Sequence, residues 1–240
     1  MTEIRTVIPD EIDRYIGSLV RTGPFASKAE LVRAALVAYA QEMEPLARAF
    51  DKENMLSPDG RVYQLEYARM AASRGAPGVG VVFNGGVLLA SAIPDETPKL
   101  MKDAFKLRRI GDRIAMLSSG LAGDAHVVAA GVKKAAPKTV DELLDAIVHP
   151  MWEHGARRDL RPLGVGFIVA STLGGDPRLF GVDPSAAYWE MDAGAIGLGH
   201  EAATAFLEKR YRRGVAREAE TLALGALGTK MRSQVVVIKT

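Results

Sequence analysis

The groups in this chain that could do chemistry are four histidines, a few serines and a lysine in a basic turn, and their spacing limits what they can do. His126, His149, His154 and His200 are scattered, and His149 and His154 stand five apart on one expected helix, so no metal-ligand cluster forms and no metal is expected. Ser73 and Ser91 are the serines that could attack a carbonyl, but a hydroxyl needs an adjacent base and the sequence places none beside either. Gly197–Ala202, GLGHEA, is a glycine turn leading into a helix. Such a turn can hold an anion or simply connect a sheet to a helix. The run GGVLLAS at 85–91 is followed by no Gly-Lys-Ser/Thr, so it is not a phosphate loop. Lys106 lies in FKLRRI beside Arg108 and Arg109, where a solvated lysine would be at home. No cofactor is expected. Trp152 and Trp189 read as core or interface residues.

The scaffold that must position these groups is bounded by composition. With 240 residues the chain can form one large domain, or a mid-sized domain plus a small module. It is 48% hydrophobic and 25% charged, enough to bury a core. A formal net charge of +2 argues against a globally basic nucleic-acid binder but leaves a local patch open. The absence of cysteine removes disulfides, thiolate metal sites and cysteine nucleophiles together. MTEIRTVIPDEIDRY has no apolar stretch of the signal-peptide kind, and no apolar run reaches the roughly 18 residues that span a bilayer. A cytoplasmic protein without membrane contact is expected.

Residues 1–44 form a first module. Ile4, Thr6 and Ile8 alternate with Glu3, Arg5 and Val7, which predicts a short strand. Pro9 ends it and opens a helix with Ile12, Ile16, Leu19 and Val20 on one face, stopped by Gly23 and Pro24. Ser27 and Glu30 make a capping box that starts a second helix carrying Leu31, Ala35, Leu36 and Tyr39. A lone strand and two helices bury too little apolar surface to stand alone, so the module wants a two-fold partner. Residues 45–52 contain Pro45 and read as a partly helical connection.

Residues 53–240 read as mixed α/β. Strands are expected at 78–83, 86–92, 113–119, 163–171, 178–183 and 234–239, and helices at 63–73, 121–135, 140–154, 200–213 and 215–231. Thr139 and Glu142 box the start of the third of these helices, and Pro150 is expected to kink it. Strands that are apolar along most of their length predict sheets buried on both faces, as when two sheets are sandwiched between helices.

Two runs of residues carry family resemblances. The strand-helix-helix pattern of residues 1–44 resembles the ribbon-helix-helix dimers, which include many antitoxins. In those proteins paired strands present side chains to the major groove. The resemblance makes Glu3, Arg5 and Val7 the DNA-facing set, with Arg5 the strong reader, and places Lys28 near a phosphate. Dimerisation without DNA is the other reading. The run SPDGRVYQLEYAR from Ser57 to Arg69 resembles the archaeal-type proteasome α-subunit family. Further runs match in order: NGGVLLAS at 84–91, SSGLAGDA at 118–125, RPLGVGFIVA at 161–170, PRLFGVDPSA at 177–186 and AIGLGHEAATAFLEKRY at 195–211.

This second resemblance implies a four-layer αββα sandwich of the N-terminal-nucleophile hydrolase type, assembled into a ring. In catalytic relatives an N-terminal threonine attacks, with its own amine as base. Here Ala76 takes that place, 75 residues precede it, and the supporting acid aligns with Ala92, so no peptide cleavage is expected. The resemblance also assigns Lys106, Gly75 and Leu121 to a pocket that receives the C-terminal carboxylate of a regulatory ATPase, a role an ammonium suits. Phe50, Asp51 and Lys52 stand where the family has its Tyr-Asp-Arg gate motif, with the usual neighbours Pro58 and Tyr67 retained. Phe50 lacks the phenol, and Lys52 lacks the guanidinium fork, so ordinary gating is in question. The expected function is a non-catalytic α-type subunit that forms or caps a ring, pairs through residues 1–44, and meets β-type subunits, a regulatory ATPase and DNA. The alternative is a ribbon-helix-helix regulator that uses an inactive proteasome-like body to oligomerise.

Overall fold

The computed structural model describes residues 7–93, 100, 106–228 and 232–240, and of residues 40–51 the backbone only. Among these the chain forms seven helices and nine strands, divided between a compact unit ending at Lys52 and another beginning at Glu53. The expected strand at 4–8 falls largely outside the described residues; Val7 and Ile8 are not in a strand.

The first unit contains α1 (Asp10–Thr22) and α2 (Lys28–Asp51). Pro9 accepts the first intrahelical bond, from Asp13 N–H at 3.0 Å, and Asp10, Glu11 and Asp13 place negative charge at the positive end of α1. Ser27 Oγ accepts Glu30 N–H at 3.2 Å, which is one half of the expected capping box; the Glu30 carboxylate reaches back past the N-cap to Ala26 N–H at 2.8 Å, so the reciprocal bond is shifted by one residue. From there α2 is continuous to Asp51, so residues 45–51 extend this helix. Lys28 Nζ pairs with the Asp13 carboxylate at 2.6 Å and ties the two helices. Burial in this unit is slight. No residue of α1 is buried, and Leu31 is the buried residue of α2 among those described.

The second unit builds α3 (Tyr63–Ser73), β1 (Gly78–Phe83), β2 (Gly86–Ile93), β3 (Leu107–Ile110), β4 (Ile114–Gly120), α4 (Ala122–Ala135), α5 (Val140–Ala156), β5 (Val165–Ser171), β6 (Arg178–Val182), β7 (Tyr188–Met191), β8 (Ala193–Ile196), α6 (His200–Arg210), α7 (Ala216–Leu227) and β9 (Arg232–Lys239). Two antiparallel sheets result, ordered β8-β1-β2-β9 and β3-β4-β5-β6-β7. Their facing sides share a core of Val82, Val87, Leu89, Leu117, Ile168, Leu179 and neighbours. On the outer face of the first sheet, Val79, Val81 and Leu88 pack with Leu207 of α6 and Ala223 and Leu227 of α7. On the outer face of the second, Phe167, Val169 and Phe180 pack with Val128 and Val132 of α4 and Leu143, Ile147 and Met151 of α5. Helices therefore cover both outer faces, which completes the αββα sandwich. Each central strand is apolar on both sides because each face is buried.

Several boundaries differ from expectation, each for a local reason. Three four-residue strands, β3, β7 and β8, were not foreseen. Edge strand β3 carries Arg108 and Arg109 and so resembles a basic turn. Strands β7 and β8 are separated by Asp192 alone, where the chain passes from one sheet to the other. Helix α6 stops at Arg210 because Tyr211 turns out of helical geometry and donates its phenol to Val82 O at 3.1 Å. Helix α7 ends at Leu227 with Gly228 at φ +89°. Pro150 sits inside an α5 that runs unbroken to Ala156. Trp152 and Trp189 are more than a third exposed, so neither is a core residue.

Leu117 is fully buried between the sheets. Leu117→Ala is expected to lower unfolding free energy by about 2–5 kcal/mol, the cost of an interior cavity. Thr139→Ala, which removes the α5 cap bond to Glu142 N–H, is expected to cost about 1 kcal/mol. Denaturant melts of both variants would check the contrast; equal losses would contradict this account of the core.

Candidate functional site

The chain leaves α3 and enters β1 through Arg74-Gly75-Ala76-Pro77. Gly75 is wedged against the end of β4, where an added Cβ would collide with Ser119 Oγ and the Gly120 backbone. Ser119 Oγ is held there by donating to Ala72 O at 2.7 Å. Gly75 O accepts Leu198 N–H at 2.8 Å, and Pro77 O accepts Ala92 N–H at 2.9 Å. Gly197, at φ +87°, passes so close to the carbonyls of Gly75 and Ala76 that no side chain fits there. GLGHEA is thus a tight sheet-to-helix connection in this fold.

Ala76 therefore occupies a position fixed on several sides, and it presents a methyl group. Ala92 is buried, and Ser91 beside it is buried with Oγ donating to Ala92 O at 3.3 Å. Ser73 Oγ donates to Met70 O at 3.0 Å. Both serine hydroxyls bond to backbone carbonyls, and neither is shown bonded to a base. Among the described residues no group of three or more His, Asp or Glu could hold a metal.

Lys106, Gly75 and Leu121 come together at one end of β4. Ser118 donates both its N–H, at 2.8 Å, and its hydroxyl, at 3.2 Å, to Lys106 O. Ser119 and Gly120 meet Gly75, and Leu121 follows as the N-cap of α4. Burial pushes the Lys106 ammonium below its ordinary pKa, and no described carboxylate pairs with it. Leu121, three residues after Ser118, is exposed, and an ammonium such as that of Lys106 is chemically able to anchor a carboxylate.

The turn at Ser57–Gly60 is closed by Gly60 N–H to Ser57 O at 2.8 Å, with Gly60 at φ +78°, as its Ser-Pro-Asp-Gly sequence dictates. The Ser57 hydroxyl bonds the Asp59 carboxylate, and Arg61 forms a bidentate pair with Glu66 while covering the Tyr63 ring at 4.9 Å. Pro58 and Tyr67 are exposed near this turn. Lys52 is exposed; the side chains of Phe50 and Asp51 lie outside the described residues, as do Glu3 and Arg5. Val7 is almost fully exposed, and Lys28 is engaged by Asp13.

Sequence reasoning missed the pair that braces this corner. Asp124, buried in the first turn of α4, accepts two bonds from Arg161 at 2.7 and 2.8 Å and one from Gly164 N–H at 2.8 Å. Gly164 O in turn accepts Leu121 N–H at 2.9 Å. Burial alone would raise the Asp124 pKa, but Arg161 and the Gly164 amide outweigh it and hold the carboxyl below its ordinary range. An aspartate in SSGLAGDA and an arginine in RPLGVGFIVA carried no sequence signal of pairing. Beside this corner, α3, α6 and strands β5–β8 line an open, apolar cleft of about 630 Å³, with Gly166, Gly181 and Gly194 in its walls and Trp189 across Gly181.

The architecture is an αββα sandwich of the N-terminal-nucleophile hydrolase type. Residues 72–236 match the family model described as proteasome subunit. Relatives include proteasome subunit alpha 2 of Haloarcula marismortui, 34% identical over 194 residues that cover 76% of this chain and 80% of that one. Proteasome subunit alpha of Archaeoglobus fulgidus is 35% identical, covering 76% and 78%. That of Thermococcus kodakarensis is 36% identical, covering 72% and 70%. The chain belongs to the proteasome subunit family, and its relatives place it with the α-type subunits.

Asp124→Asn is expected to destabilise the second unit by about 1–3 kcal/mol, since a partly buried charge-assisted set is lost. Because the folded pKa is depressed, the stabilisation is fully present above the unfolded carboxylate value and disappears as pH falls through the folded value. The wild-type advantage over Asp124→Asn should therefore be constant near neutrality and shrink only below about pH 4. Paired denaturant melts across pH would reveal a different origin if the advantage persisted in acid.

Proposed function

We propose that this chain is a non-catalytic α-type ring subunit whose first unit pairs with a second copy. The observation that carries the non-catalytic reading is Ala76, two residues before β1 and flanked by Gly75 and Pro77, whose carbonyls accept Leu198 N–H and Ala92 N–H. A methyl group there supplies neither nucleophile nor base. The ring subunit role rests on family membership, since the relatives are named as subunits of the α type. Its partners would be further copies through residues 53–240 and β-type subunits.

Lys106, Gly75 and Leu121 would form the pocket for the C-terminal carboxylate of a regulatory ATPase. The position of all three at the end of β4 supports this, together with the partly buried ammonium, which pairs with no carboxylate among the described residues. Phe50, Asp51, Lys52, Pro58 and Tyr67 would form a gate-like stretch in which Phe50 and Lys52 do not reproduce the family's hydrogen bonds.

The pairing of residues 1–44 is supported by apolar residues that the unit itself leaves uncovered. Ile12 is 47% exposed and Tyr15 62% exposed on α1, and Leu36, Val37 and Tyr39 are exposed on α2. A helix pair this small gains a core by duplicating its apolar face. DNA reading by Glu3, Arg5, Val7 and Lys28 is a separate part of this proposal. Asp13 beside Lys28 and the acidic first turn of α1 weigh against strong phosphate contact.

Native mass of the full chain tests the assembly. A multi-subunit ring is expected, and Ile12→Asp with Tyr15→Asp should lower the mass while leaving the melting of the second unit intact; a monomer would overturn the ring reading. Peptide substrates should show no turnover. Lys106→Met should weaken binding of a peptide bearing the free C-terminus of a regulatory ATPase by about tenfold to a hundredfold, the loss of one charge-assisted contact. Equal affinity would remove Lys106 from the pocket. DNA affinity that falls steeply with salt and is lost in Arg5→Ala would support the regulator reading instead.

A further inference from the structure

Asn54, the second residue of the second unit, makes an unusual set of contacts. Its side-chain amide donates to three backbone carbonyls: His154 O at 2.8 Å, Arg157 O at 2.7 Å and Leu160 O at 2.7 Å. The first belongs to the last turn of α5, where helix carbonyls have no partner of their own, and the other two belong to the loop that follows. A single NH₂ carries two hydrogens, so the three carbonyls converge more tightly than the donor can serve one by one. The opposite orientation would aim Asn54 Oδ1 at three oxygens, so the network itself fixes which atom is the nitrogen. Oδ1 is left buried without a hydrogen-bond partner among the described residues. Leaving a buried acceptor without a partner is costly.

The same loop leads to the corner of the candidate pocket. His154 Nδ1 meets Arg161 O at 3.1 Å, and Arg157 pairs with Asp159 at 2.7 Å. Arg161 then grips Asp124, which holds Gly164 N–H, and Gly164 O holds Leu121 N–H. A continuous run of hydrogen bonds thus joins the first residues of the second unit to the residue that caps α4.

We propose that Asn54 is a clasp that fixes the start of the second unit to the end of α5, and that the 154–164 loop joins this clasp and the Asp124–Arg161 pair into one cooperative device. This reading stands on the hydrogen bonds alone and does not depend on the ring or the pocket.

Hydrogen exchange on the full chain tests it. Asn54→Asp changes one atom and keeps the shape, but it replaces the donor with an oxygen facing three carbonyls. Both Asn54→Ala and Asn54→Asp should speed exchange in segments 53–57 and 154–161 by about fivefold to a hundredfold, while β4 and β5 keep wild-type protection. Wild-type rates in Asn54→Asp would overturn the clasp, and so would faster exchange spread evenly over the whole unit. Asp124→Asn should loosen the same segments, and the double variant with Asn54→Ala should exceed the faster single by no more than about twofold. Rates that multiply would show two independent contacts and overturn the joint device. If Asp124→Asn fails to fold, Arg161→Lys takes its place in the cycle, because it loses the bidentate grip and keeps the charge.

Discussion

Burial of both faces of both sheets is the constraint on which the second unit depends. Each central strand must satisfy a neighbour sheet on one side and a helix layer on the other. Val81 and Val82 in β1 show this in two adjacent residues, one packing toward α7 and the other toward the opposing sheet. With no solvent-facing side to absorb error, register is specified strongly, since a slip by one residue would exchange the two cores. Interior packing at this density also leaves little room for adjustment, so the connections between layers are short and glycine-rich where they touch.

The corner at the end of β4 follows from that packing. Because the sheets are pressed together, the segment from α3 into β1 must pass directly over Ser119 and Gly120, and only glycine fits at position 75. The hydrogen bonds of Gly75 O with Leu198 and of Pro77 O with Ala92 then fix the chain on either side of Ala76. Lys106 is drawn to the same corner by Ser118, and Asp124 with Arg161 braces it from the α4 side. The residues with functional interest therefore lie where layers meet, and the bonds that hold the layers also hold the site.

The first unit obeys a different balance. Its caps, its stop at Gly23 and its Asp13–Lys28 pair are local, and they make helices without making a core. Two helices with one buried leucine among the described residues do not offset the entropy of ordering by themselves, so their apolar residues are available to another surface. The second unit has the opposite character: its sheets are assembled by pairings such as β1 with β8, β2 with β9 and β4 with β5, which are distant in sequence.

Legibility of the sequence followed the same division. The Ser57–Gly60 turn, the Ser27 and Thr139 caps and the apolar strands could be read directly, because each depends on neighbouring residues or on period alone. So could Ala76 as a residue without a hydroxyl, on which the expectation of no peptide cleavage rests. The short strands β3, β7 and β8 were hidden because four residues give no period and their pairing is decided by a partner far along the chain. Asp124 with Arg161, and Asn54 with three carbonyls a hundred residues away, were hidden for the same reason. The sequence by itself determined the layer pattern and the helix starts, both properties of local chemistry. Only the tertiary structure decided which distant groups share a corner, because packing between layers selects partners that no spacing along the chain encodes.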